Sequence, residues 1–476
     1  MPIASMDPRN LTHDCLIHIF SFLTEGDLIK ASSVCKDWHE VAETQWLWRR
    51  MCLQRWGFCS QAVLASPVVN NSWKTYFLRR SHLETKMKEG RTGDYTCRSL
   101  RGHTGQIVGL VYLEKSSPLN PELWHIPDTV CSASTDGTVR AWNIQNGQLM
   151  WCSAKQGPLS SIISDEQHDF VITADSTGLI KVWQGQTGKE VASNSAASTH
   201  CTLLQYNKDN DWFLSIGKSL GSLCTLAGTA LTERSSIMIC DSFKVNILLV
   251  SPDKKWIIAG SKDNVDLSPK VIYTDSLTSP CEDEEPLCQF VPVTGCQAAV
   301  FIPTQSARLA MVHCNERSNN KALTVFNVSI KKSKYTSQIQ VQQVESFSLP
   351  MGASSNILLE AKDSNSIVMA VDKQLWMYSM KGSLLASFTE HMMPITSMCV
   401  DSFRVVTASQ DLSLHVFAWK HDRDRGLVLE SRYSLLGGSH TMSRGFSLVS
   451  CDFSSIVGSV QGKDGRDVLK AYTFTS

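Results

Sequence analysis

The sequence predicts a mixed, multidomain chain: a small all-α bundle with a helical stalk, then an all-β propeller of eight blades, with seven as the alternative. Three observations lead there. Apolar residues recur at helical spacing over residues 11–59, a strand–turn–strand template recurs from about residue 95 onward, and the 476-residue length exceeds what one ordinary core sustains.

The helical part comes first. Leu16, Ile19, Phe20 and Leu23 fall at i, i+3, i+4 and i+7, which puts them on one helix face. Gly26 is expected to stop that helix and Asp27 to cap the next, which carries Leu28, Ile29, Ala31 and Val34. A third helix is expected to begin near Cys35 and to include Trp38 and Val41. Trp46, Leu47, Trp48, Met51, Leu53 and Trp56 form a further apolar stripe. A bundle this small buries too little to be comfortably stable alone, so part of its apolar surface should rest on the rest of the chain or on a partner.

Residues 60–94 contain SWKTYFLRRSHLETKMKEG, rich in charge and helix formers. The run reads as a solvated helix face, and mechanically as a stalk holding two domains apart. The domain boundaries expected are an N-terminal segment 1–10, a helical domain 11–59, a linker 60–94 and a propeller 95–476.

The template of the second part is a β-rich run, a polar turn, and a second run ending in an aromatic. VCSASTDGTVRAW (130–142) and VITADSTGLIKVW (171–183) are its strongest copies. Weaker copies end at Leu226, Tyr273, Phe326, Tyr378, Phe417 and Tyr472, so the eight ends lie 39 to 55 residues apart. A hairpin repeated at that period buries its apolar face only against its neighbours, which is the logic of propeller blades. The acidic stretch CEDEEP (281–286) reads as a surface loop between blades.

Composition removes several function classes. Lys plus Arg and Asp plus Glu are 45 each, so no net field would draw the chain to nucleic acid or to an anionic membrane. The first residues lack a basic, then apolar, secretory pattern, and no apolar run approaches the ~20 residues that cross a bilayer. Sixteen cysteines occur without CxxC pairing, and Cys281, Cys288 and Cys296 lack zinc-ligand spacing. Reduced thiols and a cytoplasmic or nuclear location are therefore expected, with no cofactor and no metal. No GxSxG elbow, P-loop or HExxH is present, which argues against an enzyme.

The stretch LTHDCLIHIFSFLTEGDLIKASSVCKDWHEVA (11–42) resembles an F-box. Leu11 fits its start, Ile19, Phe20, Phe22 and Leu23 its core, and Asp27, Leu28, Val34, Cys35 and Trp38 its close; Thr12 stands where proline is usual. Gly102, His103 and Trp142 match the Gly-His opening and Trp closing of a WD repeat. Together with the Trp73–Glu84 connector, the order of modules is similar to that of F-box/WD-repeat proteins, including a mammalian subgroup of that family.

The resemblance implies a substrate-recognition subunit of an SCF-type ubiquitin ligase. Its F-box would bind the small adaptor subunit, and through it a cullin, while the propeller would hold a substrate protein of unknown identity. Leu11, Leu16, Ile19, Phe20, Leu28, Val34 and Trp38 are the residues expected to make or support the adaptor contact. Some members of the family grip phosphate with arginines before the turn aspartate; here Thr135, Lys218, Lys262 and Gln410 occupy those positions. Lys218 and Lys262 are thus candidate substrate contacts, as point charges rather than planar forks. His103, Ser132 or Ser134, Asp136 and Trp142, with His391 and Asp411 in a later repeat, are expected to form a structural hydrogen-bond network, Ser134 being the preferred hydroxyl. The alternative function is an interaction scaffold whose F-box no longer engages the ligase.

Overall fold

The structure is a computed structural model that describes residues 11–56, 73–113, 129–165, 167–196, 198–209, 211–278, 285–314, 321–332, 337–350, 356–362, 365–401, 403–422, 426–438 and 443–474. The expected N-terminal segment, the end of the helical domain (57–59), the first part of the linker (60–72) and most of the acidic stretch (281–284) lie outside them. The chain divides into two compact units, one ending at Met87 and one running from Lys88 to Phe474.

In the first unit, α1 (His13–Phe20) starts at Thr12, whose hydroxyl accepts from the Cys15 N–H. Helix α2 (Glu25–Ala31) is capped in the same way by Thr24, which accepts from the Asp27 N–H. Gly26 and Asp27 therefore lie inside the first turn of α2, not at a stop and a cap. Helix α1 ends earlier, at Phe20, with Ser21 as its C-cap donating its N–H to the Ile17 carbonyl at 3.0 Å. Helices α3 (Lys36–Ala42) and α4 (Gln45–Trp56) follow. The Trp48 indole is fully buried and donates to the Ala42 carbonyl at 2.7 Å, locking α4 onto the end of α3.

Helix α5 (Trp73–Glu89) packs on this bundle through buried Phe77, Leu83 and Met87, with the Phe77 and Trp48 rings 5.6 Å apart. Its charges are less solvated than the sequence suggests. Arg80 is buried and donates to Tyr76 Oη at 2.6 Å, and Glu84 pairs with Arg55 at 3.0 Å. Arg55 also reaches Glu25 at 3.2 Å, so one guanidinium ties α2, α4 and α5 together.

The second unit is a propeller of eight four-stranded antiparallel sheets. Seven are built from consecutive strands, over residues 107–152, 159–195, 202–238, 247–290, 296–348, 357–388 and 395–436. Blade 8 combines three C-terminal strands (443–474) with the strand Tyr95–Leu100. The first strand of each blade packs beside the first strand of the next, and blade 8 meets blade 1 to close the ring. Seven blades is therefore excluded. The central copies that are weak in sequence are complete sheets, because what each must conserve is burial. In blade 4, one of these weak copies, the second strand is buried along its whole length, whereas the outermost strand is largely exposed.

The glycines of the STDG and DSTG turns have a steric cause. Gly137 and Gly178 sit at φ 84° and 86°, and a Cβ at either would run into the carbonyl of Gln156 or Ser198 in the following loop. Turn and neighbouring loop thus touch backbone to backbone.

Candidate functional site

Two regions carry the residues expected to be functional. In the helical unit the structure separates the seven adaptor candidates by burial. Leu16, Phe20 and Leu28 are core, at most 5% exposed, and Phe20 packs edge-on against half-buried Trp38 with centroids 5.3 Å apart. Leu11 is also half-buried. Ile19 and Val34 point outward, 45% and 62% exposed.

Four further apolar residues of the helical unit, none of them among the candidates, are comparably exposed: Phe22 at 73%, Trp46 at 49%, Ile29 at 41% and Leu53 at 38%. For Phe22 and Ile29 the signal was available: they are apolar at positions off the stripe that Leu16, Phe20 and Leu28 define. An apolar side chain off the buried stripe of so small a domain marks surface that a partner would cover.

In the propeller the polar network begins at His103. Its Nδ1 lies 2.9 Å from Asp136 Oδ2, and its Nε2 lies 2.8 Å from Ser132 Oγ. A carboxylate can only accept, so Nδ1 carries the proton and Nε2 accepts from the Ser132 hydroxyl. Trp142 Nε1–H donates to the same Ser132 Oγ at 2.9 Å. The bridging hydroxyl is therefore Ser132, which corrects the preference for Ser134. Ser134 instead accepts from the Asp136 N–H at 3.2 Å and shapes the turn. Both serines face the same way, and only the length of the hairpin places Ser132 beside the indole. Thr173 and Trp183 repeat that pairing in blade 2 at 2.9 Å, again ten residues apart.

Blade 7 carries a second copy. His391 Nδ1 is 3.0 Å from Asp411 Oδ2, and its Nε2 is 2.8 Å from Thr407 Oγ1. Burial pushes both histidines below their ordinary pKa despite the adjacent carboxylates, so they stay neutral. Burial also opposes ionisation of Asp136, but hydrogen bonds from Thr138, the Thr104 N–H and His103 outweigh it and hold the carboxyl down at about 2.

Connected as Ser–His–Asp, the first network has the wiring of a hydrolase triad but not its access. Ser132 is fully buried, and its oxygen already serves His103 and Trp142, leaving no approach for a substrate. Its role is cohesion between a loop and a hairpin.

Lys218 and Lys262 occupy the turns between the second and third strands of blades 3 and 4. Antiparallel alternation puts those turns on one face of the ring, together with Thr135 and Gln410. Lys262 is exposed and Lys218 half-buried. On the same face Lys270 donates to the Met238 carbonyl at 2.8 Å and lies 4.9 Å from the Phe290 ring. Met238, Phe290 and Leu220 are all at least half exposed there. Among the described residues, no group of three or more His, Cys, Asp or Glu could hold a metal ion, and no helix is long and apolar enough to cross a membrane.

Comparison with known proteins places these features. Residues 13–54 match the family described as F-box-like. The chain is 28% identical over 467 residues to F-box/WD repeat-containing protein 12 of Homo sapiens, covering 97% of this chain and 98% of that protein. It is 23% identical over 430 residues to F-box/WD repeat-containing protein 15 of Mus musculus, covering 88% and 89% of the two chains. A solved structure of the computationally designed protein Ika8 matches with TM-score 0.54 and 18% identity, over 78% of this chain and 98% of that one, a likeness of fold alone. The chain thus carries an F-box-like domain ahead of an eight-bladed propeller and resembles F-box/WD-repeat proteins along nearly its whole length.

Proposed function

We propose that this chain is the substrate-recognition subunit of an SCF-type ubiquitin ligase, non-catalytic itself, with the F-box-like domain docking the adaptor subunit and the propeller holding a substrate protein. The observation that carries this reading is the outward set Ile19, Phe22, Ile29 and Val34 on a domain with its own separate core. Exposed anchors of this kind give a partner apolar area to bury at little cost to the fold.

Thr12 supports an F-box that still engages. Its φ of −67° is the value that proline would fix, and its hydroxyl caps α1, so the usual entry to the helix is kept without the usual residue. On the propeller, Lys218 and Lys262, with Lys270 beside exposed Met238 and Phe290, suit a substrate segment that mixes acidic and apolar side chains. Exposed Cys15, Cys35 and Cys97 are free thiols, as a cytoplasmic or nuclear protein would keep them.

The test is co-purification of the adaptor subunit with the intact chain and with Ile19→Ser/Phe22→Ser/Val34→Ser. Capture by the first and loss by the second, at unchanged thermal stability, is expected. Failure of the intact chain to bind would leave the interaction-scaffold reading instead.

A further inference from the structure

Beside the place where the ring closes, two cysteines meet across a blade boundary. Cys399 lies on the innermost strand of blade 7 (Ile395–Val400), and Cys451 ends the innermost strand of blade 8 (Ser443–Cys451). The two strands are held together by successive contacts between blades. Thr396 Oγ1 donates to the Phe446 carbonyl at 2.8 Å, the Val449 N–H donates to Ser397 Oγ at 3.2 Å, and next in line the Cys451 and Cys399 sulfurs lie 3.2 Å apart. Both are free thiols, and both residues are partly exposed. A disulfide brings its sulfurs to about 2.05 Å, so the pair needs to close by roughly 1 Å.

We propose that Cys399 and Cys451 are an oxidation site that takes hydroperoxides, forming a disulfide that staples blade 7 to blade 8. This goes beyond the ligase reading and does not depend on it.

The surroundings divide the two sulfurs into different roles. The hydrogen bond from the Cys451 thiol favours the Cys399 thiolate and lowers its pKa, while the same pairing, together with burial, keeps the proton on Cys451. Asp401 Oδ2 is 3.7 Å from the Cys451 sulfur and is held in place by Arg404 Nε at 2.8 Å. Arg404 in turn donates to the Asp452 carbonyl at 3.2 Å, beside Cys451.

In the first step the Cys399 thiolate attacks one peroxide oxygen. An S–O bond forms, the O–O bond breaks, and the leaving alkoxide (hydroxide when the oxidant is hydrogen peroxide) departs as the alcohol, or as water, after protonation. In the second step Cys451 loses its proton towards Asp401 and its sulfur attacks the Cys399 sulfenic acid. The S–S bond forms, the S–O bond breaks, and water leaves. The two thiols lose two electrons and two protons, and the hydroperoxide is reduced by the same two electrons.

The consequence is local to the closure of the ring. Blade 8 is the blade that joins the C-terminal strands to Tyr95–Leu100, and a covalent link to blade 7 restrains one side of it.

The experiment uses the full reduced chain, treated with graded hydrogen peroxide, alkylated and mapped by peptide mass spectrometry. The expected result is a peptide cross-linked between Cys399 and Cys451 as the earliest disulfide to accumulate, reversed by dithiothreitol and accompanied by a rise in melting temperature. In Cys451→Ser the cross-link is lost and a sulfenic acid on Cys399 becomes trappable by dimedone. Both sites remaining alkylated while exposed Cys15 or Cys35 is oxidised would overturn the proposal, as would pairing of either cysteine with a different partner.

Discussion

Tyr95 faces Phe474 in register across the first and last strands of the ring, their aromatic rings 5.4 Å apart. The two ends of the propeller sequence thereby close one sheet, and neither end can leave without opening a blade. The closure of the ring therefore rests on this seam.

Leu100 tests the seam. It is buried among Trp142, Ile144, Val457 and Leu469, residues drawn from both ends of the propeller. Leu100→Ala should cost about 2–5 kcal/mol in urea unfolding. Exposed Cys97→Ser on the same strand should change stability by less than about 0.5 kcal/mol.

The two serines of blade 1 should separate clearly. Ser132→Ala strands the Trp142 indole N–H and the His103 Nε2 acceptor in a buried site, at about 1–3 kcal/mol for each group. Ser134→Ala removes a single turn hydrogen bond, worth about 0.5–1.5 kcal/mol. Denaturant midpoints of the two variants provide the comparison, and equal losses would refute Ser132 as the hub.

The helical unit should separate binding from stability. Single Phe22→Ser and Val34→Ser changes should leave stability within about 0.5 kcal/mol and weaken adaptor capture by about tenfold or more. Leu28→Ala, at a fully buried position, should do the reverse, losing about 2–5 kcal/mol of stability. Calorimetry and a binding titration on the same preparations read both quantities.

The buried histidines should contribute a pH dependence of one sign near neutrality. Burial lowers the pKa of His103, His391 and His415, so the unfolded chain binds the proton more readily than the folded one. The stabilisation from keeping them neutral is present above the unfolded pKa of about 6.5 and is lost as pH falls below it. Glu360, whose carboxyl burial raises to about 7, acts in the opposite sense, so the histidine contribution is read as the change, on substitution, in the difference between the urea midpoints at about pH 5.5 and about pH 7.5. His415→Gln, which removes the ring packed 4.4 Å from His391, should move that difference in favour of the lower pH.

The sequence by itself determined the order of modules and most of the local structure. Leu16 and Phe20 announced a helix face because core burial imposes a 3.6-residue period, and the DG and TG turns announced hairpins because only glycine fits against the next loop. Eight repeats could be counted for the same reason, since every blade must offer apolar faces to two neighbours. Spacing could not say that Ile19 and Val34 face outward, that Ser132 rather than Ser134 bridges His103 and Trp142, or that Arg80 is buried. Those outcomes depend on which neighbour fills the space opposite each side chain. Nor could spacing bring Tyr95 to Phe474 or Cys399 to Cys451, because contacts between distant segments exist only once the ring has closed.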